Sequence, residues 1–138
     1  MFAWLKRSKS ESERAAIGRK GELEAERLLK GKGYRVIARN WRAGKDEIDL
    51  VCRDGQALVF VETRTRARGA LVAGFDSIDK RKREALKRVC RAYVGKMKPQ
   101  PTTYRLDVVE VEHEQGTLMI ARHYENVPLF GKSAGRGN

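Results

Sequence analysis

Apolar positions recur along the chain at two different periods, and the switches between them mark the elements. Ala15, Gly18, Ala25 and Leu29 fall at helical spacing with Leu28 alongside, which predicts a first helix over 11–30, stopped by Gly31 and Gly33. Short runs follow. Residues 34–40 read as a strand. Residues 47–52 read as a second, with Ile48, Leu50 and Cys52 on one face and Glu47, Asp49 and Val51 on the other. Asp54-Gly55 is a strong hairpin turn signal. The unbroken apolar run within 57–63 predicts a third strand buried on both faces, hence central.

Residues 66–74 read as a loop. A second helix is expected from an N-cap at Asp76 or Ser77 to about residue 94 or 95, burying Ile78, Ala85, Leu86, Val89, Tyr93 and Met97. Pro99 and Pro101 break the chain. Strands at 104–111 and 117–123 flank a Gln115-Gly116 turn. The order α-β-β-β-α-β-β predicts an α/β (α+β) domain, one mixed sheet flanked by helices. It occupies 11–130, between a flexible basic arm at 1–10 and a disordered tail at 131–138.

Composition adds the partner. The chain has 138 residues, enough for one core, with 30 Lys and Arg against 18 Asp and Glu, a net charge of +12. The excess is uneven. Residues 64–98 hold twelve basic and three acidic side chains, and 21–63 hold eight of each. Such a concentration points to nucleic acid, DNA foremost, with Arg64, Arg66 and the helix face of Lys80, Arg83, Lys87 and Arg91 as its contacts. A membrane-surface helix would need larger apolar side chains opposite the basic face. The longest apolar runs, about five residues, are far short of a membrane span. No secretion signal is evident, so the expected home is the cytoplasm, without membrane attachment. Cys52 and Cys90 alone cannot build a disulfide framework or a four-cysteine zinc site.

The acids of 21–63 are the candidate chemistry. With Asp54 and Gly55 as the hairpin loop, Arg53 pairs with Gln56, Asp49 faces Phe60 and Glu47 faces Glu62. Opposed residues project to the same face, so Glu47, Asp49, Glu62 and Arg64 share one, and Asp49 lies diagonally from Glu62 at about 6–8 Å between Cβ atoms. Like charges this close destabilise a sheet. A divalent cation resolves the conflict, since Mg²⁺ is commonly held by one or two carboxylates plus substrate phosphate. The alternative is a solvated hairpin face screened by Arg64 and Arg66. A one-residue slip would move Glu62 to the other face. Glu22 falls on the apolar stripe of the first helix. It either reaches water at the stripe's edge or points into a polar site beneath the helix.

Asp49 followed by Glu62-Thr63-Arg64 on the next strand resembles the PD-(D/E)XK nuclease superfamily. More closely, the chain resembles the bacterial YraN family over roughly residues 14–130. The matching stretches are Gly18-Arg19-Lys20-Gly21-Glu22 with Ala25, Gly33-Tyr34, Arg39-Asn40, Glu47-Ile48-Asp49-Leu50-Val51 and Val59-Phe60-Val61-Glu62. Lys80, Arg105-Leu106-Asp107-Val108-Val109 and Glu125-Asn126 complete them. The resemblance implies a restriction-endonuclease-like domain with Asp49, Glu62 and Glu22 as ligands of Mg²⁺ or Mn²⁺ and as catalytic residues. Arg64 stands where the superfamily has lysine. It stays protonated and cannot act as a base, but it can hold a phosphate or stabilise developing negative charge. Lys80 is a candidate substitute cation. Asp46 replaces the family's usual glycine.

His113 and His123 lack metal-ligand spacing and read as ordinary surface or sheet residues. Cys52 and Cys90 read as small buried residues, Trp41 as packing rather than a base-stacking platform, and Asp107 as a structural ion pair. The expected function is a metal-dependent endonuclease acting on DNA, on branched or damaged forms in one version, with a homodimer suited to cutting two strands. The alternatives are a nuclease-fold module that binds nucleic acid without cutting it, or an accessory protein in repair or recombination.

Overall fold

The computed structural model describes residues 2–69, 78–115 and 117–130, the side chains of 2–11, 118 and 119 excepted. The expected tail at 131–138 and the expected caps Asp76 and Ser77 lie outside these residues. Helix α1 spans Phe2–Gly31, and strands β1 Arg35–Ala43, β2 Asp46–Asp54 and β3 Ala57–Ala67 follow. Helix α2 spans Lys80–Lys96, and β4 Thr103–Glu114 and β5 Thr117–Tyr124 close the order. All seven expected elements are present in the expected sequence. The first helix begins at Phe2, not at residue 11, so it takes in the segment assigned to an arm. Ala15, expected on the buried stripe, is exposed, while Gly21, Ala25 and Leu29 are buried.

The helix ends are set locally. At the end of α1, Gly33 adopts φ +91, which glycine tolerates, and Tyr34 N–H returns to Leu29 O at 3.0 Å. Helix α2 is capped by Asp79, whose carboxylate accepts from Lys82 N–H at 2.8 Å.

The sheet order is β1-β2-β3-β4-β5, so each strand lies beside its predecessor. Only β3 and β4 are parallel, because α2 carries the chain back between them. Central β3 buries both faces, as its apolar run predicts. On one face α2 supplies Leu86, Val89 and Cys90 to a core with Val51, Leu58, Phe60, Leu106 and Val108. On the other, Ala25 and Leu29 of α1 pack with Leu50, Cys52, Val59, Val61 and Val109. The result is a three-layer α/β/α sandwich. Among the described residues no helix is long and apolar enough to cross a membrane.

Candidate active site

The β2–β3 register decides which acids meet. Pairing runs from Asp54↔Ala57 to Leu50↔Val61, so the loop is Gly55-Gln56 and not Asp54-Gly55. Gly55, at the first loop position, takes φ +59. The ladder is thus two residues away from the sequence expectation. An even shift keeps every side chain on its face but changes its partner. Continued by one step, it sets Asp49 opposite Glu62.

The backbone ladder gives way at that step. Thr63 N–H donates to the Asp49 side chain, Oδ2, at 2.8 Å. Ile48 and Val51 both pack on the α2 side, while Leu50 and Cys52 pack on the α1 side. Strict alternation therefore breaks at Asp49. Glu47 is held toward β1 by Asn40 Nδ2 at 3.0 Å and by Arg42 at 3.1 Å. It does not face Glu62, contrary to the expected hairpin. Asn40 keeps a left-handed backbone, φ +48, inside β1, where the register places it across from Asp49. Strain at a non-glycine residue is concentrated at functional sites.

Glu62 is 4% exposed and hydrogen-bonded to the Asp49 carboxyl. Lys82 Nζ lies 3.4 Å and Arg64 4.0 Å from its Oε2. Burial, then the Asp49 charge and hydrogen bond, push its pKa up to about 8 against the pull of Lys82. At neutral pH Glu62 therefore keeps its proton, beside the Asp49 carboxyl to which it is hydrogen-bonded.

Glu22 approaches from the opposite layer. A Cβ on Gly21 would lie 2.0 Å from Thr65 Oγ1, so the bare glycine lets α1 rest directly on β3. Glu22 then lines a cavity of about 290 Å³ with Arg19, Asn40 and Asp49. Burial, then the charges of Asp49 and Glu47, raise its pKa, and a hydrogen bond from Asn40 lowers it. Asp49 thus stands between Glu62 on one side and Glu22 on the other. Among the described residues no group of three or more His, Cys, Asp or Glu is gathered closely enough to hold a metal ion. The three acids adjoin without forming a closed ligand set. The Asp49–Glu62 pair alone offers hard oxygen donors in mutual contact, held together by a proton that a dication could replace. This fits a metal bound by two carboxylates and completed by substrate and water oxygens.

The cation that α2 brings to Glu62 is Lys82. Lys80 lies exposed on the first turn. Of the other expected contacts, Arg83 Nε donates to Ile78 O at 3.0 Å, Lys87 sits 3.4 Å from Glu84, and Arg91 is exposed. Arg66 is half-buried on β3. Asp46 is bound by Arg88 through two bonds of 2.9 and 3.0 Å, which ties α2 to the start of β2. Trp41 packs edge-to-face on Tyr93 at 5.0 Å between ring centroids, and both cysteines are buried, as expected. Lys82 and Asn40 are the site residues that sequence reasoning misses. An asparagine inside a strand, between Arg39 and Trp41, is the one available signal, since it tolerates the left-handed region.

The raised Glu62 pKa gives a signed expectation. The folded state holds a proton that the unfolded chain releases near the ordinary value of 4.5. Stability is therefore full below that value and declines as pH rises toward 8. Glu62→Gln mimics the protonated form and should remove the decline, so that the variant loses less stability than the parent between pH 5 and pH 8. Urea unfolding at pH 5 and pH 8 checks this. A parallel loss in both proteins would contradict it.

A family model described as Uncharacterised protein family UPF0102 matches residues 21–111. The chain is 40% identical over 107 residues to a UPF0102 protein of Nitratidesulfovibrio vulgaris, covering 78% of this chain and 80% of that one. It is 31% identical over 117 residues to one from Carboxydothermus hydrogenoformans, covering 85% and 98%. Among solved structures, Pyrococcus furiosus SfsA in complex with Ca²⁺ is similar at 16% identity and a TM-score of 0.37, over 84% of this chain and 63% of that chain.

Proposed function

The chain belongs to the uncharacterised protein family UPF0102, the YraN family, and we propose that it is a metal-dependent endonuclease hydrolysing phosphodiester bonds in DNA. The observation that carries this reading is the Asp49–Glu62 carboxyl pair, hydrogen-bonded where the β2–β3 ladder gives way, with Lys82 and Arg64 beside it. A sheet gains no stability from such a pair.

Asp49 and Glu62 would hold Mg²⁺ or Mn²⁺. When bound, the metal supplies Lewis-acid stabilisation of charge on the phosphate. Glu22, across Asp49, orients water in the cavity under α1. Lys82 and Arg64 hold phosphate oxygens by charge-assisted hydrogen bonds. Arg64 positions and does not abstract a proton, because guanidinium stays protonated. We place the activity in the cytoplasm, where the free thiols of Cys52 and Cys90 persist. Cutting both strands of a duplex would engage two copies.

The test is a panel of linear, branched and single-stranded DNA with Mg²⁺ or Mn²⁺. Cleavage is expected from the parent, and a fall of at least about 10²-fold from Asp49→Asn and Glu62→Gln. A parent that leaves the whole panel uncut sinks the nuclease reading. Arg64 at the lysine position favours a second reading, a nuclease fold that binds DNA without cutting it. Salt-dependent binding that survives both substitutions in an inactive parent would select that one.

A further inference from the structure

A second basic surface lies on α2, one helical face away from the expected one. Arg81, Ala85 and Arg88 are spaced four and three residues apart, so they form one stripe, with Lys82 at its flank. Across from them stands Lys45 in the turn between β1 and β2. These residues line a groove of about 430 Å³.

Two acids, Asp46 and Asp79, also line the groove, and both are already engaged. Asp79 accepts from Lys82 N–H as the cap of α2, and Asp46 is held bidentately by Arg88. Arg88 and Asp46 cancel. Lys45 and Arg81 are exposed, and Arg81 has no partner among the described residues. Lys82 belongs both to the groove and to the acid pair, since its Nζ is 3.4 Å from Glu62. With four cations against two carboxylates the groove is positive on balance, and Lys82 joins it to the acid pair.

We infer that this groove is the track along which the DNA phosphodiester backbone enters the site, with Lys45 and Arg81 each neutralising a phosphate next to the one presented to Asp49 and Glu62. The inference rests on the reading of DNA as substrate, but not on cleavage. Cations at a groove act on phosphate as point charges, so they contribute affinity and a salt slope without base preference. An acidic protein or an anionic membrane would meet the same charges. Neither would give the counterion slope of a phosphate backbone on free duplex.

The experiment measures binding of a labelled duplex of about 20 base pairs to the full chain in EDTA, from about 50 to 400 mM salt. Lys45→Ala with Arg81→Ala is compared with Arg27→Ala with Arg35→Ala, two exposed cations at the junction of α1 and β1 that do not line the groove. All four side chains are exposed, so thermal unfolding should be unchanged. The groove pair should lower the slope of log affinity against log salt by about 1.8, about 0.9 for each phosphate left without its cation. The control pair should leave it within about 0.3. Equal effects of both pairs, an unchanged slope for the groove pair, or no binding of DNA by the parent would each overturn the inference. A parent that binds with this pattern but cuts nothing leaves the track standing and removes the nuclease reading alone.

Discussion

Replacing Asp107 with asparagine should lower the unfolding free energy by about 3–5 kcal/mol, the usual result of breaking a buried charge pair on one side only. Asp107 is fully buried on the α1 side of β4. Its Oδ1 accepts from Arg105 Nε at 2.9 Å and Asn126 N–H at 2.8 Å, and its Oδ2 meets His123 Nε2 at 2.8 Å. The histidine tautomer follows from its other nitrogen. Lys32 Nζ lies 3.0 Å from Nδ1 and can only donate, so Nδ1 accepts and Nε2 carries the proton. All three partners of Asp107 are thus donors. An amide nitrogen placed at either oxygen would face one of them. Burial raises the Asp107 pKa, but the bonds from His123, Arg105 and Asn126 more than offset it and hold it below the ordinary value. The stability it contributes is present above the unfolded pKa and is lost as pH falls through the folded one. Thermal unfolding should show a midpoint about 10–20 °C lower at pH 7. A loss below about 1 kcal/mol would mean that these bonds are replaced by water at little cost.

Gly21→Ala should destabilise by up to about 2 kcal/mol, against the sign that helix propensity alone would give. Alanine in a helix interior gains about 1 kcal/mol over glycine. The added Cβ would stand 2.0 Å from Thr65 Oγ1 and 3.1 Å from Thr65 Cβ and Cγ2. Threonine is short and β-branched and cannot swing clear, and overpacking costs about 1–3 kcal/mol. Gly18→Ala is the control, because nothing lies within 4 Å of its added Cβ. It should stabilise by up to about 1 kcal/mol. Thr65→Ala added to Gly21→Ala should recover most of the loss. In any cleavage assay Gly21→Ala should also fall, since lifting α1 withdraws Glu22 from Asp49. Stabilisation by both alanines would show that α1 does not rest on β3 through Gly21.

The elements and the principal acids were legible because each depends on local pattern. Alternation placed Asp49 and Glu62 on strands, and an even error in the turn left Glu62 on its face, but the break at Asp49 moves Ile48 to the α2 side, away from Leu50 and Cys52 with which alternation grouped it. Glu47 was misassigned because its partner is chosen by β1, through Asn40 and Arg42, and not by the hairpin. Lys82 escaped notice because helix phase relative to the sheet is set by the Asp79 cap, three residues away, whereas Asp76 and Ser77 looked equally able to cap. The Asp107 cluster was the least legible. Arg105 reaches Tyr34 across 71 positions and Tyr34 reaches Glu125 across 91. His123, read as an ordinary sheet residue, proves to be a buried link in that cluster, with its side chain 1% exposed. The expected structural ion pair at Asp107 is what the structure shows. Tyr34, Arg105, Asp107, Glu125 and Asn126, separate pieces of the family resemblance, thus meet in a single network.

The chain-order sheet also fixes an order of assembly. Strands β1, β2 and β3 can pair as successive hairpins as soon as each is made, and β4 docks once α2 has formed. The first helix can already rest Ala25 and Leu29 on Leu50, Cys52, Val59 and Val61 of β2 and β3. The hydrogen bonds that fasten its end come from the far side of the chain, where Lys32 and Tyr34 close on His123 and Glu125. A nascent chain that has reached β4 but not β5 holds Asp107 without His123 or Asn126 to satisfy it. The polar network beyond the end of the first helix therefore closes only when the last strand and the residues after it are in place.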